Sequence, residues 1–313
     1  MKAFPSLETK TFIAYIADNA ALGIHRAGYN GIASLIPRHS GNNLFVPVYA
    51  GLNYETIWLP GLPPYQQVRG SKFEPRAEPM QIEAADAKSV TLVQPETSHA
   101  HVGARITFSV EEPCYLHQRI EVTFHRKFCG SGEKNRFRSL YASYMHTPPD
   151  RHIYLQADPA SGDLSDWIGI TKADHAAPDT QIRRLPDGRE LTAAEHLAAM
   201  NFESPLSESA LSGTGWPSTA LPRNLDGPLS FYYGLCHDAQ LFLMMFKQPE
   251  RFRLAYSPCG GGQQPAWSPA WDYILHLDDA EIGPTYTWDL CLALKPFEGR
   301  TDVLQEVRRY LGG

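Results

Sequence analysis

Apolar and polar residues alternate with a period of two through the region 80–128, which has the clearest pattern in the chain. Four segments show it, MQIEAAD, SVTLVQP, ARITFSV and HQRIEVTFHRKF, and turn-forming residues separate them at roughly ten-residue intervals. Because successive side chains of a strand point to opposite faces, Ile106, Phe108 and Val110 should share one face. This spacing is typical of an antiparallel meander in a sandwich or barrel.

Similar patterns occur towards both ends of the chain. TFIAYIADNAALGI predicts a strand, with a short helix as the alternative, and TYTWDLCLALKPF predicts a further strand. The continuously apolar run 241–246 indicates a strand buried on both faces. An early hairpin is predicted where Ile32, Leu35 and Ile36 precede turn residues and the segment 44–46 returns as the second arm. A C-terminal helix should pack on the sheet through one face, which comprises Val303, Leu304, Val307, Tyr310 and Leu311.

The region 157–226 differs, because it is rich in Asp, Ser, Pro and Gly and lacks strongly patterned strands. Only LTAAEHLAAM looks helical, where Thr192 fits an N-cap and Glu195 completes a capping box. The sparse apolar content predicts an excursion over a single domain, 1–313, either as a lid or as a dimer contact. The predicted fold class is all-β, a large antiparallel β-sandwich with a short C-terminal helix.

A stretch that begins at His25, a candidate catalytic histidine, concentrates groups that can hold a polar ligand. Tyr49, Asn53 and Glu55 follow the predicted hairpin at a strand end, where loops on a rigid sheet tend to carry binding residues. A purely structural role for this cluster is equally open. The proline-rich segment that follows is predicted to be a long surface loop, in which Arg76 is either a solvated charge or a clamp for hydroxyls or a carboxylate.

Late in the chain, aromatic residues follow a glycine-rich loop. Ser257-Pro-Cys-Gly-Gly-Gly offers backbone amides that can cradle an anion, although a flexible hairpin loop is the simpler interpretation. Trp267 and Trp271 could stack on the apolar face of a sugar ring while Asp272 binds its hydroxyls, and core packing is the alternative for both tryptophans. The same two interpretations apply to Tyr233 and His237.

Two histidines separated by one residue, His99 and His101, form a further candidate. In an extended segment both imidazoles would lie on one face. Such a pair can supply a general acid near neutral pH, or can bind a divalent metal together with Glu55 or Glu121. A surface or structural role is the third alternative, and the sequence favours no metal or other cofactor.

Composition and charge narrow the classes of function. The 313 residues carry a net charge of −6 with a pI of about 6.1, which gives no general attraction to nucleic acid or to an anionic membrane. Five scattered cysteines without a CxxC pair indicate reduced thiols. No signal peptide or long apolar run is evident, so a cytoplasmic protein is expected. A homodimer is compatible with these features.

The order of these patterns resembles the galactose mutarotase-like supersandwich, in which an early glycine-rich hairpin precedes many meander strands. The segment Gly31-Ile32-Ala33-Ser34-Leu35 carries the most local part of this resemblance. Sugar epimerases have this fold, and polysaccharide lyases contain it as a domain. The resemblance implies a concave sheet face that binds a small-molecule carbohydrate, with a histidine and a carboxylate as acid and base.

Two hypotheses follow. In the first, the protein is an epimerase- or lyase-like enzyme that acts by proton transfer, with His101 as the acid and Asp272 or Glu55 as the base. Arg76 and Asn53 would then orient the substrate. In the second, the protein is a non-catalytic carbohydrate-binding β-sandwich, which needs the aromatic residues and the loop but no paired acid and base.

Overall fold

The computed structural model describes residues 4–19, 28–49, 51–59, 71–127, 136–156, 167–172, 180–184, 229–257 and 268–312. Within these residues the chain forms seventeen strands, a short helix α1 (Glu74–Ala77) and a C-terminal helix α2 (Arg300–Leu311). The strands are β1 (Ser6–Glu8), β2 (Phe12–Ala17), β3 (Gly31–Pro37), β4 (Asn53–Trp58), β5 (Gln81–Ala85), β6 (Ser89–Gln94), β7 (Val102–Glu111), β8 (Tyr115–Phe124), β9 (Phe137–Ala142), β10 (Ile153–Gln156), β11 (Trp167–Lys172), β12 (Thr180–Arg184), β13 (Phe231–Cys236), β14 (Gln240–Phe246), β15 (Phe252–Ser257), β16 (Ala270–Leu277) and β17 (Thr285–Pro296). Single 3₁₀ turns occur at Ser71–Phe73, His237–Ala239 and Pro249–Arg251.

The strands form three antiparallel sheets. A ten-stranded sheet has the order β12-β11-β10-β13-β14-β17-β8-β7-β6-β5, a four-stranded sheet the order β15-β16-β9-β4, and a three-stranded sheet the order β1-β2-β3. The meander predicted for 80–128 is β5 to β8, in which each strand pairs with the next along the chain. The predicted all-β antiparallel architecture is therefore confirmed.

The main core lies between one face of the ten-stranded sheet and the two smaller sheets. Phe242 on β14 meets Trp271 on β16 with ring centroids 5.8 Å apart. The sheets approach so closely here that a Cβ atom added at Gly234 would lie 2.4 Å from the Trp271 ring. Such a contact is well inside van der Waals distance, so only glycine fits between this strand and the indole.

A second apolar cluster lies on the opposite, outer face of the ten-stranded sheet, where α2 packs through Val303, Leu304 and Val307. Every residue of β14 is buried, which confirms the prediction that this strand is covered on both faces. The prediction that Leu311 faces the sheet is wrong, because its side chain is 37% exposed. It occupies the last position before Gly312, whose left-handed conformation ends the helix.

Two segments differ from the predicted elements. The segment 44–46 does not form a second hairpin arm: after one bond from the Leu44 amide to the Leu35 carbonyl, Phe45 bridges to Met145 instead. The excursion contains two strands, β11 and β12, which extend the ten-stranded sheet beyond β10. Their pairing is non-local, so sequence periodicity alone did not reveal it. The helix predicted at LTAAEHLAAM lies outside the described residues.

Three cysteines in the described part of the chain are buried free thiols, Cys114, Cys236 and Cys291. Burial raises the pKa of the Cys236 thiol above its ordinary value. Neither α1 nor α2, the α-helices that the described residues form, has the length and apolar character needed to span a bilayer.

Candidate functional site

A buried guanidinium organises the first polar centre of the molecule. Arg76 lies in α1 and is fully buried, rather than exposed on a surface loop as a solvated charge would be. Its Nη1 donates to Asn53 Oδ1 at 2.5 Å and lies 3.4 Å from Glu55 Oε2, and its Nε donates to the Gly28 carbonyl at 2.7 Å. A buried charge is tolerated only when it is paired and hydrogen-bonded in this way.

The local geometry of β4 presents two of these partners. Asn53 and Glu55 are two positions apart on the strand, so their side chains can reach the same guanidinium. The pairing with β9 shifts register between Tyr54 and Thr56, which leaves Glu55 out of the ladder as the extra residue of a bulge. The Asn53 amide also donates to the Ala142 carbonyl at 3.1 Å, which ties this strand to the end of β9.

A tyrosine completes the first centre. Tyr144, just beyond β9, donates its hydroxyl to Glu55 Oε2 at 2.6 Å. Its ring packs edge-on against Tyr49 with centroids 5.6 Å apart. Next to it in sequence, the backbone amide of Ser143 donates to Asp272 Oδ1 at 2.9 Å. The structure therefore brings Asn53, Glu55 and Arg76 into direct contact, and places Tyr49 and Asp272 against the residues that follow β9.

A second polar centre contains a histidine that the sequence analysis did not select. His152 Nδ1 lies 2.7 Å from Asp150 Oδ1, and the backbone amide of His152 donates to the same oxygen at 3.0 Å. The hydroxyl of Tyr154 donates to the other carboxylate oxygen. Although burial tends to raise the pKa of the Asp150 carboxyl, the hydrogen bonds from His152 and Tyr154 hold it below its ordinary value. Asp150 is therefore an ionised carboxylate near neutral pH.

The other nitrogen of this imidazole is left unpaired. His152 Nε2 is buried and has no hydrogen-bond partner among the described residues, while the side chain as a whole remains 16% exposed. In a neutral imidazole one nitrogen donates and the other accepts, and an ionised Asp150 selects the tautomer that carries its proton on Nδ1. Nε2 is then a proton acceptor, which is the arrangement of a general base held by a carboxylate.

A sequence signal for this centre exists in hindsight. Asp150, His152 and Tyr154 are spaced two apart at the start of β10, and a period of two places alternate side chains on one face of an extended chain. The histidine pair His99 and His101, which has the same spacing, was selected instead.

One connection joins the two centres. The segment 143–152 leaves β9 and leads into β10, with Tyr144 at its start and His152 at its end. The Arg151 carbonyl accepts hydrogen bonds from Trp271 Nε1 at 3.3 Å and from the Tyr256 hydroxyl at 3.0 Å. These bonds anchor the connection beside His152, so the imidazole is carried by a fixed backbone.

The structure does not bring His101 into either centre. Its Nδ1 lies 2.6 Å from Glu96 and its Nε2 lies 3.3 Å from Arg126. The prediction that His99 and His101 extend along one face is also wrong. The Glu74 carboxylate accepts the amides of His99 and Ala100, which closes a turn, and His101 has a positive φ of 49°.

The aromatic residues predicted to stack on a sugar are enclosed by other side chains. Trp271 belongs to the main core, and Tyr233 packs between Tyr154 and Phe297 in the cluster under α2. Neither ring has exposed surface, because the strand that carries each of them is covered on both faces. His237 lies in the 3₁₀ turn between β13 and β14. The remaining candidates, His25, Trp267 and the loop with Cys259, lie outside the described residues.

The described residues contain no group of three His, Cys, Asp or Glu side chains arranged to hold a metal ion. The divalent metal considered for His99 and His101 therefore finds no third ligand in the part of the chain that the structure covers. The two polar centres therefore offer an imidazole hydrogen-bonded to one carboxylate, His152 with Asp150, and a buried carboxylate, Glu55, held by a guanidinium and a tyrosine.

These features define a class of protein, an antiparallel β-sandwich with two linked polar centres. A scan of protein-family profiles finds no match, and no curated protein is similar in sequence. Among solved structures, a galactose mutarotase-related enzyme from Lactobacillus acidophilus is 10% identical with a TM-score of 0.48, covering 93% of this chain and 97% of that chain. An aldose epimerase homologue from C. elegans is 9% identical with a TM-score of 0.47, covering 95% of this chain and 100% of that chain.

The α-N-acetylgalactosaminidase NagBb from Bifidobacterium bifidum is 10% identical with a TM-score of 0.49, and the match covers 98% of this chain but 38% of that one. At these sequence identities and TM-scores, the function has to be inferred from the residues of this chain.

Proposed function

We propose that this protein is an enzyme that acts on a carbohydrate by proton transfer, with His152 as the group that gives and takes the proton. The observation that carries the proposal is the unpaired, buried Nε2 of an imidazole whose Nδ1 is held by Asp150. A buried polar atom without a partner is costly in a structure that has no use for it. A substrate hydroxyl that donates to neutral Nε2, or a ring oxygen that accepts from its protonated form, would supply the missing partner.

The substrate class follows from the sequence pattern and from the chemistry of the two centres. The resemblance of the sequence pattern, and of the segment 31–35 in particular, to the galactose mutarotase-like family suggests a sugar. In the first centre a guanidinium and a phenol hold the Glu55 carboxylate, and carboxylates are among the groups that bind sugar hydroxyls. In this proposal Arg76 and Asn53 act by fixing the position of Glu55 and do not contact the ligand themselves.

The reaction class that fits best is epimerisation at the anomeric carbon of an aldose. His152 in its protonated form would give the Nε2 proton to the ring oxygen, and a carboxylate would take the proton of the anomeric hydroxyl. The ring carbon–oxygen bond breaks, the aldehyde rotates, and the reverse proton transfers close the ring with either configuration. Glu55 and Asp272, buried carboxylates that accept hydrogen bonds from the Tyr144 hydroxyl and from the Ser143 amide, are the candidates for the base.

The test is a comparison of mutarotation rates for freshly dissolved anomers of a panel of aldoses, followed by polarimetry. The wild-type protein should accelerate mutarotation of at least one aldose, and His152→Gln should lower that rate by about 10²- to 10⁴-fold. His39→Gln, at an exposed position beyond β3, is the matched control and should keep the wild-type rate. If His152→Gln retains the full wild-type rate, His152 is not the proton-transfer group and the proposal is wrong.

The same variants distinguish two other outcomes. If no aldose is turned over but a polymeric uronate gains ultraviolet absorbance from a new conjugated double bond, the enzyme is a lyase in which the base removes the proton beside the carboxylate. If a sugar binds to wild type and His152→Gln alike and neither reaction occurs, the protein is the non-catalytic carbohydrate-binding sandwich of the second hypothesis.

A further inference from the structure

A groove of about 860 Å³ lies on the outer face of the ten-stranded sheet, beside the C-terminal end of α2. β7, β8 and β17 supply its floor, and Arg309 and Tyr310 in the last turn of α2 supply a wall. This volume is in the range of small-molecule sites. The groove shares no lining residue with either polar centre described above, so it is a separate feature of the molecule.

A fixed guanidinium lies on the floor of this groove. Arg119 on β8 donates to both carboxylate oxygens of Asp289 on β17, with distances of 2.8 and 3.3 Å. These two residues face each other across the β8–β17 ladder, so the backbone sets their spacing. The two-pronged contact uses one edge of the guanidinium, while the side chain remains 58% exposed. The remaining N–H groups are oriented in advance for a second acceptor.

A lysine beside it carries a charge that no described carboxylate neutralises. Lys247, just after β14, donates to the Tyr310 carbonyl at the end of α2, and its Nζ lies 4.6 Å from the centre of the Tyr310 ring. Both contacts fix the position of the ammonium group without cancelling its charge. At the rim, Arg309 Nη1 lies 3.7 Å from Glu111. The groove is thus lined by three cations in a protein whose net charge is −6. Arg119 and Arg309 each pair with a carboxylate, whereas Lys247 pairs with none among the described residues.

Neutral hydrogen-bonding groups lie between these cations. Thr107 and Ser109 project from β7 into the groove, and Gln248 follows Lys247. The Thr107 hydroxyl is fixed by a 3.0 Å contact with Thr91, and Gln248 Oε1 accepts the amide of Asp289 at 3.3 Å. Hydroxyl and amide groups at fixed positions suit a ligand that carries several hydroxyls, each of which can donate and accept.

We infer that this groove is a binding site for a sugar acid, with the ligand carboxylate on Arg119 and Lys247 and its hydroxyls on Thr107, Ser109 and Gln248. A carboxylate provides the acceptor for the free edge of Arg119 and the counter-charge for Lys247. Adjacent hydroxyls distinguish such a ligand from a simple anion. The site lies apart from His152, so it goes beyond the proposed catalytic function and does not depend on it.

The experiment is calorimetric titration of the full chain with three probes, glucuronate, glucose and inorganic phosphate. Glucuronate should bind, and glucose and phosphate should each bind at least about tenfold more weakly. Glucose lacks the carboxylate, and phosphate lacks the sugar hydroxyls. If phosphate binds as tightly as glucuronate, the groove is a general anion site and the inference fails. Absence of glucuronate binding also overturns it.

Two variants locate the bound ligand. Lys247→Met should weaken glucuronate binding about tenfold, and Ser109→Asp, which adds a carboxylate to the floor, should weaken it at least as much. Lys88→Met, at an exposed lysine in the β5–β6 turn, is the matched control and should bind as wild type does. If both groove variants bind normally while His152→Gln does not bind, glucuronate occupies the His152 centre and the inference is wrong. Circular dichroism and thermal melting confirm that each variant is folded.

Discussion

The segment 143–152 links two polar centres that are built from similar groups. The centres differ in whether those groups are hydrogen-bonded. Around Arg76, the guanidinium, the Glu55 carboxylate and the Tyr144 hydroxyl satisfy one another in a fully buried cluster. Around Asp150, the carboxylate is fully engaged, but His152 Nε2 is left without a partner in the described structure. The first arrangement holds strands together, and the second holds one imidazole nitrogen without a partner in a fixed position.

The difference shows how a buried ionisable residue should be interpreted. Burial alone does not identify chemistry, because Arg76 is more buried than His152 and its guanidinium is held by Gly28 and Asn53. What distinguishes a reactive group is a fixed orientation combined with one unsatisfied atom. Substitutions in the Arg76 centre should therefore lower stability, whereas substitution of His152 should lower turnover.

The largest expected effect is on stability, from Arg76→Met. This change removes one member of a buried pair and leaves the Glu55 carboxylate buried without its guanidinium, so the free energy of unfolding should fall by about 3–5 kcal/mol. Urea denaturation measures the change. Arg105→Met is the control, because its 2.6 Å pair with Glu83 is exposed and should contribute less than about 1 kcal/mol. Equal losses in the two variants would contradict a structural role for the first centre.

A smaller and pH-dependent effect is expected from Asp150→Asn. The folded-state pKa of Asp150 is lower than its ordinary value of 3.8, so its ionised form stabilises the fold above that pH, and this contribution is lost as the pH falls through the folded-state pKa. Near neutral pH the free energy of unfolding of the variant should be about 2 kcal/mol lower than that of wild type. The difference should shrink when unfolding is measured at successively lower pH below 3.8. A difference that stays constant, or that grows in acid, would rule out this account.

The smallest stability effect is expected from Tyr144→Phe. It removes a single donor to Glu55 and keeps the ring that packs on Tyr49, so the free energy of unfolding should fall by about 1.5 kcal/mol. Tyr15→Phe on β2 is the comparison, and thermal unfolding should place it within about 0.5 kcal/mol of wild type. No loss for Tyr144→Phe would show that the phenol does not support the carboxylate.

The fold was accessible from the sequence because its signals are local. The alternation in 80–128 and the apolar run of β14 each predict a strand and its buried faces without knowledge of the partner strands. Asn53, Glu55 and Arg76 were also predicted as members of one site. Their contacts confirm that they are neighbours, although α1 was predicted to be surface loop.

The second centre was not predicted, because its members became recognisable only in three dimensions. The spacing of Asp150, His152 and Tyr154 equals that of many exposed strand residues, and the sequence does not show that Nε2 would be buried without a partner. His101 was selected from an identical spacing, but a turn closed by Glu74 separates it from His99. The two interpretations of Trp271 stayed open because an indole near a glycine-rich loop looks the same in sequence whether it faces a ligand or the core, and the structure places it in the core.

The most direct test of the central claim, that His152 is held by Asp150 with Nε2 free for proton transfer, is the protonation state of its ring. Long-range ¹H–¹⁵N correlation spectra of the labelled protein, assigned by comparison with His152→Gln, report which nitrogen carries the proton. The neutral imidazole should carry its proton on Nδ1 and none on Nε2. A neutral imidazole protonated only on Nε2 would contradict the claim.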